Sequence, residues 1–176
     1  MIDPFEVLGL PRRFAVAADE VEARYLARSR QLHPDFHQLA AASEQRAALE
    51  LTSVLNEAFA ILRDPFKRAE ALLALEGGPT AAQHKEMSPA FLEEMLELRM
   101  HIEELREGGD PAALAAMEGE LQQRRSRIIA DIAGRFAQYE SLAVSDAKRR
   151  GLLVEVRQLL NAAKYIQGQL RDLRAD

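Results

Sequence analysis

An all-α protein in two parts is what this sequence predicts, on three observations. Alanine, leucine, glutamate and arginine dominate while valine, isoleucine and aromatic residues are sparse, so propensity favours helix throughout and no segment reads as a strand. Apolar residues recur at i, i+3, i+4 and i+7 along several long stretches, the spacing of a helix with one packed face. That periodicity stops at Glu76-Gly77-Gly78-Pro79-Thr80 and a polar stretch continues to Ser88. The expected organisation is a first domain over 1–75, a linker over 76–88 and a second domain over 89–176. With 176 residues, 48% of them hydrophobic, the chain has ample apolar material for a core.

The first part should begin with a short helix from Pro4 to Leu8, broken by Gly9-Leu10-Pro11, and continue with a helix from about Ala18 to Leu32. A loop carrying His33-Pro34-Asp35 follows. A long helix from about Ala41 to Leu62 then places Ala48, Leu51, Thr52, Leu55, Ala58, Phe59 and Leu62 on one face, which predicts that this face is packed. Asp64-Pro65 ends it, because proline disfavours helical geometry in the residue before it, and a short helix near Phe66 to Leu75 follows.

The second part reads as three helices. Ser88-Pro89 and Asp110-Pro111 each supply an N-cap residue followed by proline at the first helical position, and Gly108-Gly109 separates the two helices they open. The middle helix holds Leu114, Met117, Leu121, Ile128, Ile132, Phe136 and Tyr139 on one face. The last, from about Ser145, should bury Leu152, Val156, Leu159, Leu160, Ala163, Ile166 and Leu170. Each helix needs the others to cover its apolar stripe, so an antiparallel three-helix bundle is the economical arrangement.

Composition excludes several functions. A net charge of −5 disfavours nucleic-acid binding, which takes a surplus of Lys and Arg on one face. The absence of cysteine rules out disulfides and thiolate ligation of zinc or an iron–sulfur cluster. The start, Met1-Ile2-Asp3-Pro4, shows neither a signal sequence nor an Arg-rich transit pattern, and no run of about twenty apolar residues occurs. No membrane association and a cytoplasmic location are therefore expected.

Proline at 34 lacks an amide hydrogen and restrains His33, so the turn should project His33 and Asp35 outward between two antiparallel helices. Three readings are open at this point. The residues are ordinary turn formers and could serve only as a turn. His33, Asp35 and His37 could ligate a metal, although a histidine pair four apart shares a face only on a helix, which Pro34 opposes. His33 could act in acid–base catalysis, but no partner is visible in the sequence.

The surroundings narrow the choice. With Pro4-Phe5-Glu6-Val7-Leu8-Gly9 at the start, Tyr25 eight residues before His33, and Leu55-Asn56-Glu57-Ala58-Phe59 through Leu62-Arg63-Asp64-Pro65 afterwards, the first 75 residues resemble a J-domain. The resemblance implies that the helical hairpin docks on a DnaK-type chaperone and that the His33-Pro34-Asp35 loop stimulates its ATP hydrolysis, with no catalytic residue, metal or cofactor in this chain. Pro65-Phe66-Lys67-Arg68-Ala69-Glu70-Ala71-Leu72-Leu73 and Phe91-Leu92-Glu93-Glu94-Met95-Leu96-Glu97-Leu98-Arg99 extend it: the whole chain is similar to the HscB family, J-type co-chaperones of iron–sulfur cluster assembly. Membership implies an L-shaped, two-domain molecule that acts on an HscA-type chaperone and delivers an IscU-type scaffold to it. A general J-protein that brings other clients to DnaK is the nearest alternative; an inert helical adaptor, or an enzyme using His33 and His37 with a metal, is the more distant one.

The helix from Pro89 adds its own argument. Phe91, Met95, Leu98, Ile102 and Leu105 form one stripe that suffices to face the bundle. Leu92, Leu96 and Met100 form a second, bordered by Glu93, Glu97, Arg99 and Glu103. A wide interface within the protein could absorb them, or an apolar centre with charged edges could receive a partner. The resemblance implies scaffold binding by Leu92, Leu96, Glu97 and Arg99. Glu93 and Met100 depart from the family's more familiar pattern, and we include Met100 in the surface because it continues the apolar line. For chaperone docking, Arg24 and Arg30 are the candidate cations beside the loop, although they do not share a helical face. Phe36-His37 stands where many J-domains have lysine, and Leu26 and Ala27 where basic residues are common. Arg28 takes a position where leucine is common and should run its stem past the core edge.

Overall fold

The computed structural model describes residues 2–31 and 42–174. Among them are seven helices and no strand: α1 Pro4–Leu8, α2 Ala18–Gln31, α3 Ala42–Arg63, α4 Pro65–Leu75, α5 Pro89–Gly108, α6 Pro111–Ser141 and α7 Lys148–Arg174. None is long and apolar enough to cross a membrane. The chain forms two compact units, Met1–Gly77 and Gly78–Asp176.

Four helices start by the same device. Asp3, Asp64, Ser88 and Asp110 each precede a proline, and each side chain accepts a hydrogen bond from a first-turn amide: Phe5 at 2.9 Å, Phe66 at 2.8 Å, Phe91 at 3.2 Å and Ala112 at 2.9 Å. The cap satisfies a donor that has no intrahelical partner, and proline contributes a φ already suited to the helix. α7 begins at Lys148 rather than near Ser145. Asp146 closes a turn onto Ala143 and takes the Lys148 amide at 2.8 Å, which delays the helix.

In the first unit, α1 and α2 pack on α3. Phe5, Leu8, Val21, Leu55, Ala58 and Leu62 are buried with Leu10, Phe14 and Val16 of the connecting segment. Leu51, expected on the packed face, is instead 54% exposed. It shares the azimuth of Ala58 but lies nearly two turns towards the helix N-terminus, where no described residue covers it.

Gly9 ends α1 in the left-handed region, with φ +66°, and a Cβ there would lie 2.8 Å from the Arg28 guanidinium. Arg28 therefore lays its charged end against the α1 terminus. Gly9→Ala is expected to lower stability by about 1 kcal/mol, the cost of an L side chain at this φ, since the flexible tip of Arg28 can move aside. Urea denaturation of the two proteins measures it.

In the second unit, α5, α6 and α7 pack pairwise as a three-helix bundle. Met117, Leu121, Ile128, Ile132, Phe136 and Tyr139 of α6 are buried as their spacing predicts, while Leu114 is half-buried. The buried line of α7 runs through Leu153, Val156, Leu160, Ala163, Ile166, Leu170 and Leu173, leaving Leu152 and Leu159 half-buried. Three polar side chains join it, Arg157, Asn161 and Gln169. Hydrogen bonds offset part of the cost of their burial: Arg157 Nε donates to Asn161 Oδ1 at 3.1 Å, Asn161 Nδ2 to the His84 carbonyl at 2.8 Å and Gln169 Nε2 to the Met95 carbonyl at 3.2 Å, while Gln169 Oε1 is buried without a partner. The Asn161 bond ties part of the 78–88 segment to α7. Thr80 and Gln83 close a turn beside it, the Thr80 amide donating to Gln83 Oε1 at 2.9 Å.

Candidate functional site

α2 and α3 are fixed against each other by one aromatic contact. Tyr25 stacks on Phe59 with centroids 4.2 Å apart and planes 21° from parallel, and its hydroxyl donates to Asn56 Oδ1 at 2.9 Å. Stacking adds to the area these rings bury, and the hydroxyl bond sets the register of the hairpin. Arg24 and Arg30 are exposed on α2. They are six residues apart, about 240° around the helix, so they point in different directions. His33, Pro34 and Asp35 lie outside the described residues, and so does His37, on which the metal reading also depends. Among the described residues, no group of three His, Asp or Glu side chains is placed to hold a metal.

The segment leading into α2 is anchored by a residue that periodicity does not reveal. Arg68 of α4 is only 8% exposed; its Nε donates to the Leu62 carbonyl at 2.7 Å and its Nη1 to the carbonyls of Phe14 at 3.0 Å and Val16 at 2.9 Å. Leu62 lies in the last turn of α3, where carbonyls lack intrahelical partners and a cation is favoured. The guanidinium also sits 5.7 Å from the Phe14 ring centroid. Burial pushes its pKa below the ordinary arginine value, partly countered by Asp64, yet arginine remains charged at any physiological pH. One side chain thus joins the end of α3, the start of α4 and the approach to α2.

On α5 the two apolar stripes separate. Met95 and Ile102 are buried, seven residues apart, and Phe91, Leu98 and Leu105 are half-buried beside them. Phe91 packs edge-on to Tyr165 of α7 at 5.5 Å, and Arg124 of α6 lies 5.9 Å from its centroid. Arg124 also forms a two-pronged pair with Glu94, at 2.6 and 2.9 Å. That hydrogen bonding holds the Glu94 carboxyl below the ordinary range. These contacts fix the rotation of α5 about its axis.

The rotation leaves the second stripe uncovered. Leu92, Leu96 and Met100 are 42%, 60% and 56% exposed, in a line about 12 Å long at the helical rise of 1.5 Å per residue. Glu93, Glu97 and Arg99 are exposed around it, and Arg99 Nε pairs with Glu103 at 3.2 Å. Among the described residues of this unit, no helix covers these side chains. Tyr165, 41% exposed, adds an aromatic on α7 where it meets Phe91. The sequence signal for Tyr165 is slight, an aromatic on the polar side of the α7 stripe.

Residues 3–71 match the family model described as DnaJ domain, and residues 87–173 match that described as HSCB C-terminal oligomerisation domain. The chain is 32% identical over 168 residues to the co-chaperone protein HscB homolog of Vibrio cholerae, covering 94% of this chain and 97% of the relative. It is 38% identical over 127 residues to the homolog of Bordetella pertussis, covering 72% and 74%. The solved structure of chaperone HscB from Vibrio cholerae superimposes with a TM-score of 0.79 at 26% identity, over 98% of this chain and 95% of that one. Human co-chaperone protein HscB shares the fold, with a TM-score of 0.80 at 22% identity, over 99% and 81%.

Proposed function

This chain belongs to the HscB co-chaperone family, and from that premise we propose that its first unit stimulates ATP hydrolysis by an HscA-type, DnaK-like chaperone while its second presents an IscU-type iron–sulfur scaffold. The observation that carries the second half is the exposed line Leu92, Leu96 and Met100 on a helix whose core contacts are complete without it. Apolar centre, charged border and fixed rotation are what a specific protein interface needs. Leu92, Leu96 and Met100 supply the buried area, Glu97 and Arg99 the orientation at the rim, and Tyr165 an aromatic edge.

In the first unit, His33, Pro34 and Asp35 are assigned to chaperone stimulation and Arg24 and Arg30 to docking. This part rests on membership and on the braced hairpin that carries them. The protein then acts in the cytoplasm as a regulator whose partner, rather than itself, hydrolyses ATP. Joining both functions in one chain raises the local concentration of scaffold beside the chaperone, so that hydrolysis and capture coincide.

The test is steady-state ATP hydrolysis by the partner chaperone with wild-type protein and with His33→Gln. Wild type should stimulate several-fold and His33→Gln should return the rate to the chaperone's own, with scaffold affinity unchanged. Loss of scaffold binding in a folded His33→Gln protein would contradict the division of labour.

A further inference from the structure

The exposed line on α5 ends in a different chemistry from the one it begins with. Leu92 and Leu96 carry hydrocarbon side chains, whereas Met100, 56% exposed, carries a thioether. A leucine at 100 would offer similar apolar area and an equal helix propensity. What methionine adds is a flexible, polarisable sulfur that an oxidant can reach.

The other described methionines are better shielded. Met95 and Met117 are buried, and Met87 is half-buried ahead of α5. Met95 and Met100 stand about 140° apart around the same helix, so one methionine faces the bundle core and the other faces water. The chain has no cysteine, so no thiolate of its own competes for the oxidant. The residues three and four positions from Met100 are Leu96, Glu97, Glu103 and Glu104, all exposed. Glu103 pairs with Arg99 at 3.2 Å and Glu104 contacts His101 at 3.7 Å. Both contacts are local to α5, and Met100 stays open between them.

We propose that Met100 is a site of reversible oxidation that switches the scaffold surface off, an inference that rests on the scaffold reading given above. The sulfur lone pair attacks one oxygen of hydrogen peroxide: an S–O bond forms, the O–O bond breaks and the other oxygen leaves as water. Sulfur loses the two electrons that the peroxide gains, and a methionine sulfoxide reductase returns the thioether. In the free protein the sulfoxide stands in water, and α5 keeps its seat because Met95 and Ile102 hold it. In the complex the same polar oxygen is carried into the apolar centre of an interface, where an acceptor without a donor is penalised. Oxidation therefore acts on binding and not on folding.

The experiment treats the full chain with hydrogen peroxide and removes the oxidant with catalase before any scaffold is added. Peptide mass mapping follows each methionine, isothermal titration reads affinity for the IscU-type scaffold, and far-UV circular dichroism verifies the fold. Met100 should gain oxygen about fivefold faster, or more, than Met95 and Met117, because access limits the reaction. Protein oxidised at Met100 should bind scaffold about fivefold more weakly, or worse, the effect of one buried unpaired acceptor, and sulfoxide reductase should restore it. Met100→Leu, treated identically, should stay within about twofold of its untreated affinity, since the exchange conserves volume and removes the sulfur. Oxidation of Met100 no faster than of the buried methionines, an affinity unchanged by the sulfoxide, or an equal loss in Met100→Leu would overturn the proposal. Reduced protein that binds no scaffold would instead remove the scaffold reading, and this inference with it.

Discussion

Leu92→Ala combined with Leu96→Ala is expected to weaken scaffold binding about a hundredfold or more while leaving the thermal transition of the second unit within a degree or two. Both side chains are largely exposed, so truncation leaves no cavity, and exposed substitutions away from caps and networks usually stay within about 0.5 kcal/mol. At an interface the same atoms lie at the apolar centre, where truncations cost about 1 to 2 kcal/mol or more each. Two of them give roughly 3 kcal/mol, or about a hundredfold in affinity. Met95→Ala makes the contrast. Met95 is buried, so its truncation should lower stability by about 2 to 4 kcal/mol and reduce binding only through unfolding. Isothermal titration with the scaffold beside a thermal melt separates the two. An unchanged affinity in the double variant would remove α5 from the scaffold interface.

Arg68→Ala is expected to cost the first unit about 3 to 4 kcal/mol, most of the stability a unit of this size possesses. Three buried carbonyls lose a charged donor, and each such bond contributes about 1.5 to 3 kcal/mol. The full sum is not reached, because the buried charge is removed along with its bonds and the carbonyls recover some water. Arg68→Met keeps the apolar stem without the donors and should remain nearly as unstable. Arg68→Lys keeps the charge but not the fork and should fall between. Amide exchange followed by mass spectrometry reads the outcome unit by unit: protection should fall over 2–31 and 42–77 and persist over 78–174. Chaperone stimulation should then be lost with scaffold affinity retained. Arg68→Met as stable as wild type would show that packing, not hydrogen bonding, holds this corner.

The helices and their caps are legible in the sequence because local chemistry sets them. Asp or Ser before proline marks four helix starts, and the 3.6-residue period picks out the buried side of α6 almost completely. Errors come where a residue's fate depends on what lies opposite. Leu51 has the azimuth of a core residue but no described neighbour over it. Leu152 and Leu159 yield to Leu153 and Leu173 because α5 and α6 cover α7 along a line shifted around the helix. Arg68 answers carbonyls 52 and 54 residues away in sequence, which no periodicity records. Its one trace is an arginine beside Ala69, Leu72 and Leu73 on the apolar face of a short helix. The α5 surface was legible as a doubled stripe. Its exposure was not, because that depends on Arg124 with Glu94 and Tyr165 with Phe91, contacts between helices that fix how far α5 is turned.

The central claim is that one chain couples chaperone stimulation to scaffold delivery, and the most direct test is the chaperone's ATPase rate with this protein, with the scaffold, and with both. The account predicts a rate with both that exceeds the sum of the separate stimulations, collapsing to the sum in the Leu92→Ala, Leu96→Ala protein. A merely additive rate, with all components folded and the scaffold bound, would contradict it.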